Sequence, residues 1–158
     1  MKPNVNKFIA RDIILLTLIL VVALLLRLYK INTPLADFHS WRQADTAAVA
    51  RNFVNNGFNL FKPTYDDLSS NQSGLDNPQG LRLVEFPLYN VSFALLYKYL
   101  PITSLEIYGR LVTIFFSLIL ISILYFLLLK ESGRLAAGGG SLVYAVSPFF
   151  FFFSRVIL

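Results

Sequence analysis

The sequence predicts an all-α integral membrane protein, the start of a multi-pass helical bundle with a large outer first loop that carries interfacial helices. Three observations predict it. Apolar residues make up 56% of the 158 residues and charged ones only 15%, where a soluble domain carries about 25% charged residues. The shortfall lies in long apolar runs rather than in an even dilution of charge. Basic residues gather at the ends of those runs, Lys2, Lys7 and Arg11 before the first and Lys130 and Arg134 between two later ones, which marks the cytoplasmic side. The net charge of +5 is therefore no nucleic-acid footprint, and no nucleic-acid partner is expected. With no cysteine, disulfides, thiolate metal sites and cysteine nucleophiles are excluded.

Residues 1–12 are predicted to be a cytoplasmic amino terminus and residues 13–31 the first span. The apolar core Ile13 to Leu26 is short enough to pass for a signal-peptide core. Arg27 and Lys30 after it, and the lack of a small-x-small cleavage site, favour an anchor whose basic ends snorkel to the interface. Residues 32–104 then form an outer loop rich in Asn, Ser, Gly and carboxylates. Within it, 41–56 reads as an amphipathic helix, with Ala44, Ala47, Ala48, Val49 and Phe53 at helical spacing and Asn56-Gly57 to close it. Leu60 to Leu81 carries Lys62-Pro63, Ser73-Gly74, Asn77-Pro78 and Gln79-Gly80 and is expected to be irregular.

The stretch 87–100 is apolar and opens on Pro87, but it falls short of the roughly 20 residues that a span needs. Were it to cross, the basic turn at 130–134 would face outward, against the charge rule. An interfacial helix satisfies both arguments. A second span at 105–129, a cytoplasmic turn at 130–134 and a third span at 135–158 follow. The chain stops inside that last run, which reads as a truncated larger bundle. Gly138-Gly139-Gly140 is expected to permit close helix packing, and Phe149–Phe153 to face lipid or a neighbouring helix.

The chemistry-bearing stretch runs from Asp37 to Phe53. Asp37 follows the outer end of the first span by a few residues, at interface depth, where a carboxylate can act as general base toward a hydroxyl; the plainer alternative is a capping or solvated aspartate. Arg42, Asp45 and Arg51 share the next helix. An ion pair of Asp45 with Arg42 is the expected surface arrangement, and a guanidinium on phosphate is the alternative. His39 is the only histidine, and with Glu85 it makes at most a weak metal pattern. Glu85 brings a second carboxylate back to the membrane surface, unless it only serves the first turn of a helix. Arg110 and Arg155 lie near the outer ends of their predicted spans, where they need an anionic partner such as a lipid phosphate or headgroup. Phosphate-cradling glycine loops, zinc-protease helices and G-x-S-x-G elbows are absent.

These features, in this order, resemble the GT-C superfamily of membrane glycosyltransferases, in the protein O-mannosyltransferase and aminoarabinose-transferase-like branch. The residues that carry the resemblance are Asp37, the run His39-Ser40-Trp41-Arg42-Gln43-Ala44-Asp45-Thr46-Ala47, then Glu85-Phe86-Pro87-Leu88-Tyr89-Asn90, Tyr108-Gly109-Arg110, and Ser147-Pro148 with Ser154-Arg155. The resemblance implies an inverting transfer of sugar from a polyprenyl-phosphate carrier to a hydroxyl acceptor at the outer face of the bacterial inner (plasma) membrane. It places the catalytic base on Asp37 and substrate contacts on His39, Arg42, Asp45, Glu85, Arg110 and Arg155. Many relatives read Asp-Glu where this chain has Asp37-Phe38, and His39 comes next. Glu85 matches an acid that helps to hold a divalent metal in some members, the other ligands coming from later loops. The alternatives are a non-catalytic polytopic membrane protein and a lipid-carrier transporter subunit; neither needs a base at Asp37.

Overall fold

The computed structural model describes residues 5–35, 39–69 and 74–157. Among them the chain is all-α. Its helices are α1 (Val5–Leu28), α2 (Ser40–Asn56), α3 (Leu88–Tyr99), α4 (Leu105–Val146) and α5 (Pro148–Phe153). The chain divides into two units, the first comprising residues 1–31 and 113–155, the second residues 32–112 and 156–158.

In the first unit, α1 packs with α5 and with two stretches of α4. Ile19 and Ala23 of α1, Ile121 and Tyr125, and Ala137 and Ala145 form one buried cluster. Both stretches of α4 can join it because the helix breaks at Gly133, whose φ of 83° and ψ of −178° are non-helical. Glycine reaches that backbone conformation without a Cβ clash. The expected turn at 130–134 is thus a break centred on Gly133. The small residues after it allow the close approach that the sequence suggests: a Cβ on Gly138 would stand 3.0 Å from Leu15, and one on Gly140 would stand 2.6 Å from Leu128. Arg134 Nε and Nη2 grip Asp12 at 2.6 and 2.9 Å, and the Tyr125 hydroxyl donates to the same carboxylate at 3.2 Å.

The apolar run expected as a single helix over 135–158 is instead divided. α4 ends at Val146, and α5 starts at Pro148. Proline has no N–H for the helical ladder, and it pushes the preceding residue away from helical geometry. Ser147 accordingly sits at ψ 129°. Ile13, Ile14, Leu18, Val21, Leu25, Phe115, Phe116, Ile123, Phe126 and Leu127 all remain exposed, an apolar surface that water does not favour. Among the described residues, α4 is the helix long and apolar enough to cross a membrane, with a mean hydropathy of 2.8 over its most apolar stretch.

In the second unit, α2 packs on α3. Val49, Ala50, Phe53, Phe93, Ala94, Leu105, Tyr108, Val112 and Ile157 form its core. α2 buries Ala47, Ala48, Val49 and Phe53 of the expected stripe, leaves Ala44 exposed, and adds the polar Gln43 and Thr46 together with Ala50. Gly57 closes the helix as expected, at φ 96°, with its N–H donating to Phe53 O at 3.1 Å. α3 buries Asn90, Phe93 and Ala94 and leaves Leu88, Leu95, Leu96 and Tyr99 exposed, so apolar residues occupy its outer face as well as its inner one.

The irregular stretch between α2 and α3 is clipped by one antiparallel bridge, Thr64 to Leu81. Its backbone bonds run from Tyr65 N to Gly80 O and from Arg82 N to Pro63 O, each 2.8 Å. Asn77 adds a side-chain clamp, donating to Leu81 O at 3.0 Å and accepting from Leu81 N at 2.8 Å. Gly80 holds φ 60°, and an added Cβ would lie 2.6 Å from the Tyr65 carbonyl oxygen. Gly80→Ala is therefore expected to destabilise the second unit by about 1–3 kcal/mol. At Gly74, with φ 77° but nothing within 4 Å, the same change meets only the backbone penalty of about 1 kcal/mol. Denaturant titration of the two variants in detergent checks this; equal losses would contradict the clip.

Candidate functional site

Asp37 lies outside the described residues. The motif residues around it fold as part of the second unit, and α2 with the segment leading into α3 gathers most of them. Arg42 in the first turn of α2 donates from Nη2 to both oxygens of Glu85, at 3.3 and 3.1 Å. Asp45, one turn later, takes Arg82 Nη1 at 3.0 Å. The expected pair between Arg42 and Asp45 gives way to these two cross-loop pairs, because the clip at Thr64 and Leu81 delivers Arg82 and Glu85 to the α2 surface. Asn90 Nδ2 donates to Thr46 O at 2.9 Å in the buried seam of α2 and α3. Arg51 pairs with Asp66 on an exposed part of the same unit.

Arg82 was not legible as a site residue. It sits in a turn-rich stretch without helical or strand periodicity, and its partner is 37 positions away in sequence, counting from Asp45 to Arg82. Its guanidinium also stands over the Tyr65 ring, 5.0 Å from the centroid, which holds it in place.

Burial pushes the Asp45 carboxyl above its ordinary range, and Arg82 opposes that only in part. Between the ordinary value of about 3.9 and the raised folded value, the folded chain keeps a proton that the unfolded chain has released. That contribution to stability is complete below the unfolded pKa and is lost as pH rises through the folded one. Asp67 acts the other way and in a lower window: the Ser69 side chain and backbone hold its carboxyl down. Unfolding curves at several pH values above 4 should show stability falling with pH, and Asp45→Asn should flatten that slope; an unchanged slope would remove Asp45 from the account.

His39 occupies the N-cap position of α2 with left-handed backbone angles, φ 59° and ψ 34°. A non-glycine residue there carries strain of the kind that is found at functional sites. Arg110, in the first turns of α4, is buried, with 3% of its surface exposed, and its Nη2 lies 3.5 Å from Pro34 O. It lines a cavity of about 380 Å³ together with Asn32, Thr33, Leu35, Ser104 and Glu106. Arg155 belongs to the first unit, where its guanidinium stands over Phe151 at 5.3 Å.

Glu85 is the residue of this chain that the resemblance would place at a divalent metal. Among the described residues no group of three or more His, Asp or Glu side chains could hold a metal ion, and both Glu85 oxygens already serve Arg42.

Compared with protein-family models, curated proteins and solved structures, the chain matches none. Among the described residues the fold is all-α, with one helix long and apolar enough to cross a membrane.

Proposed function

We propose that this chain is part of a multi-pass inner-membrane glycosyltransferase, amino terminus cytoplasmic, that moves sugar from a polyprenyl-phosphate carrier to a hydroxyl acceptor at the outer face, with inversion. The observation that carries the reading is the Arg42–Glu85 pair. The two halves of the motif behind the resemblance lie 43 residues apart in sequence, and these side chains meet at 3.1 Å. The outward apolar surfaces of α1 and α4 suit lipid, and the apolar outer face of α3 suits the interface.

In this reading Asp37 takes the proton of the acceptor hydroxyl, whose oxygen attacks the anomeric carbon. The carbon–oxygen bond to the carrier breaks, and the phosphate leaves with the electron pair. His39, Arg42, Asp45 and Glu85 supply substrate contacts. Arg110, in the same unit as these residues, offers a guanidinium suited to the charge that develops on phosphate.

The test is sugar release from polyprenyl-phosphate donors by membranes that carry the intact gene product, against membranes that lack it. Consumption that depends on the protein supports the reading. No consumption of any donor across a panel of sugars would sink it and leave the transporter and scaffold readings.

A further inference from the structure

We propose that Arg27, Ser154 and Arg155 of the first unit form a binding site for a phosphate oxyanion. This deepens the carrier reading, on which only the identity of the bound lipid rests. Arg27 sits in the last turn of α1 with 1% of its surface exposed. Its Nη1 is held by two backbone carbonyls, Ala23 O at 3.1 Å and Ala145 O at 3.0 Å. Those bonds fix the plane of the guanidinium. Its Nε donates to the Ser154 hydroxyl at 2.6 Å, and its buried Nη2 has no hydrogen-bond partner.

Nε and Nη2 together form the side-on edge of a guanidinium, the edge that grips two oxygens of one phosphate or carboxylate. Here that edge holds a single neutral hydroxyl. A buried charge left in this condition is costly unless an anion joins it. The first unit cannot supply one from its own carboxylates, which are Asp12 and Glu131. Asp12 is bound by Arg134 and Tyr125, and Glu131 lies beside Lys130. The anion must come from outside the unit.

The geometry also provides a way in. Ser154 and Arg155 are only half-buried, and the Ser154 hydroxyl donates to Phe151 O at 3.2 Å. That bond persists when the hydroxyl stops accepting from Arg27. A phosphate that displaces it gains Nε and Nη2 of Arg27, with Arg155, the next residue in the chain, supplying a second positive charge. In a hydrocarbon setting such a cluster of ionisable groups marks a ligand path.

The test uses the intact chain with ¹⁵N-labelled arginine in dodecyl maltoside micelles, which contain no phosphate. The Arg27 Nε–H resonance, assigned with Arg27→Lys, is followed during separate titrations with undecaprenyl phosphate, phosphatidylglycerol and inorganic phosphate. A saturable shift with undecaprenyl phosphate alone supports the site and identifies the carrier as its source. A shift with phosphatidylglycerol as well supports a general lipid-phosphate site, and a shift with inorganic phosphate alone supports a soluble source. Ser154→Ala, which removes the competing hydroxyl, should tighten binding by about threefold, and Arg155→Gln should weaken it by about tenfold. No shift with any of the three probes, or weaker binding in Ser154→Ala, overturns the proposal. Because binding is read without turnover, failure of the transferase reading and failure of this site are separate results.

Discussion

Asp37→Asn is expected to lower carrier-sugar consumption by about 10²–10⁴-fold, the range that a positioned general base contributes, with protein level and carrier binding unchanged. The substitution keeps the shape of the side chain and removes its basicity. The residues that follow Asp37 in the motif, Arg42 and Asp45, hold Glu85 and Arg82. Turnover in membranes, normalised to protein by immunoblot, is the measurement. Wild-type turnover in the variant would reduce Asp37 to a cap and move the acceptor chemistry to another residue, whether or not the family resemblance stands.

Phe93→Ala is expected to have the largest effect on stability, a loss of about 3–5 kcal/mol. Phe93 is fully buried at the centre of the α2–α3 core. Its ring stands 5.2 Å from that of Tyr89, and Tyr89 donates to Gly109 O at 2.9 Å, so the cavity would lie against a ring anchored elsewhere and would collapse poorly. Phe93→Leu, which keeps more volume, should lose under about 2 kcal/mol. Phe61→Ala, at a residue that is 84% exposed, should stay within about 0.5 kcal/mol. Reversible denaturation of the three variants in detergent decides it. Similar losses for Phe61→Ala and Phe93→Ala would mean that the core lies elsewhere.

The helices were legible because their signals are local. Asn56-Gly57 ends α2 at the position the sequence suggests, and the helix read at 87–100 is found at Leu88–Tyr99. Ser147-Pro148 also carries a local signal, a residue pushed out of helical geometry by the proline after it, although the apolar composition of 135–158 is continuous across it. The pairings were not legible, since they depend on distant segments. Nothing near Arg82 in sequence indicates Asp45, and nothing near Arg134 indicates Asp12, 122 residues away. α2 illustrates the same limit within one helix. Four of the five residues that its spacing marks, Ala47, Ala48, Val49 and Phe53, are buried, but Gln43 and Thr46 are buried with them and Ala44 is exposed. For Arg27 the sequence reading, a snorkelling residue at the end of a span, has the opposite sense from its 1% exposure.

The first unit is discontinuous in sequence, and that imposes an order on its synthesis. The Arg27–Ser154 bond joins residues 127 positions apart. At about 5–20 residues per second on the ribosome, α1 is complete roughly 6–25 s before Ser154 exists. Throughout that interval the guanidinium lacks the hydroxyl and the Ala145 carbonyl that hold it in the finished fold. Segment 32–112 can assemble its own core around Phe93 in the meantime, apart from Ile157. The pairing of α1 with α5 therefore forms late, and α1 must be kept by water, headgroups or the insertion machinery until α4 and α5 arrive.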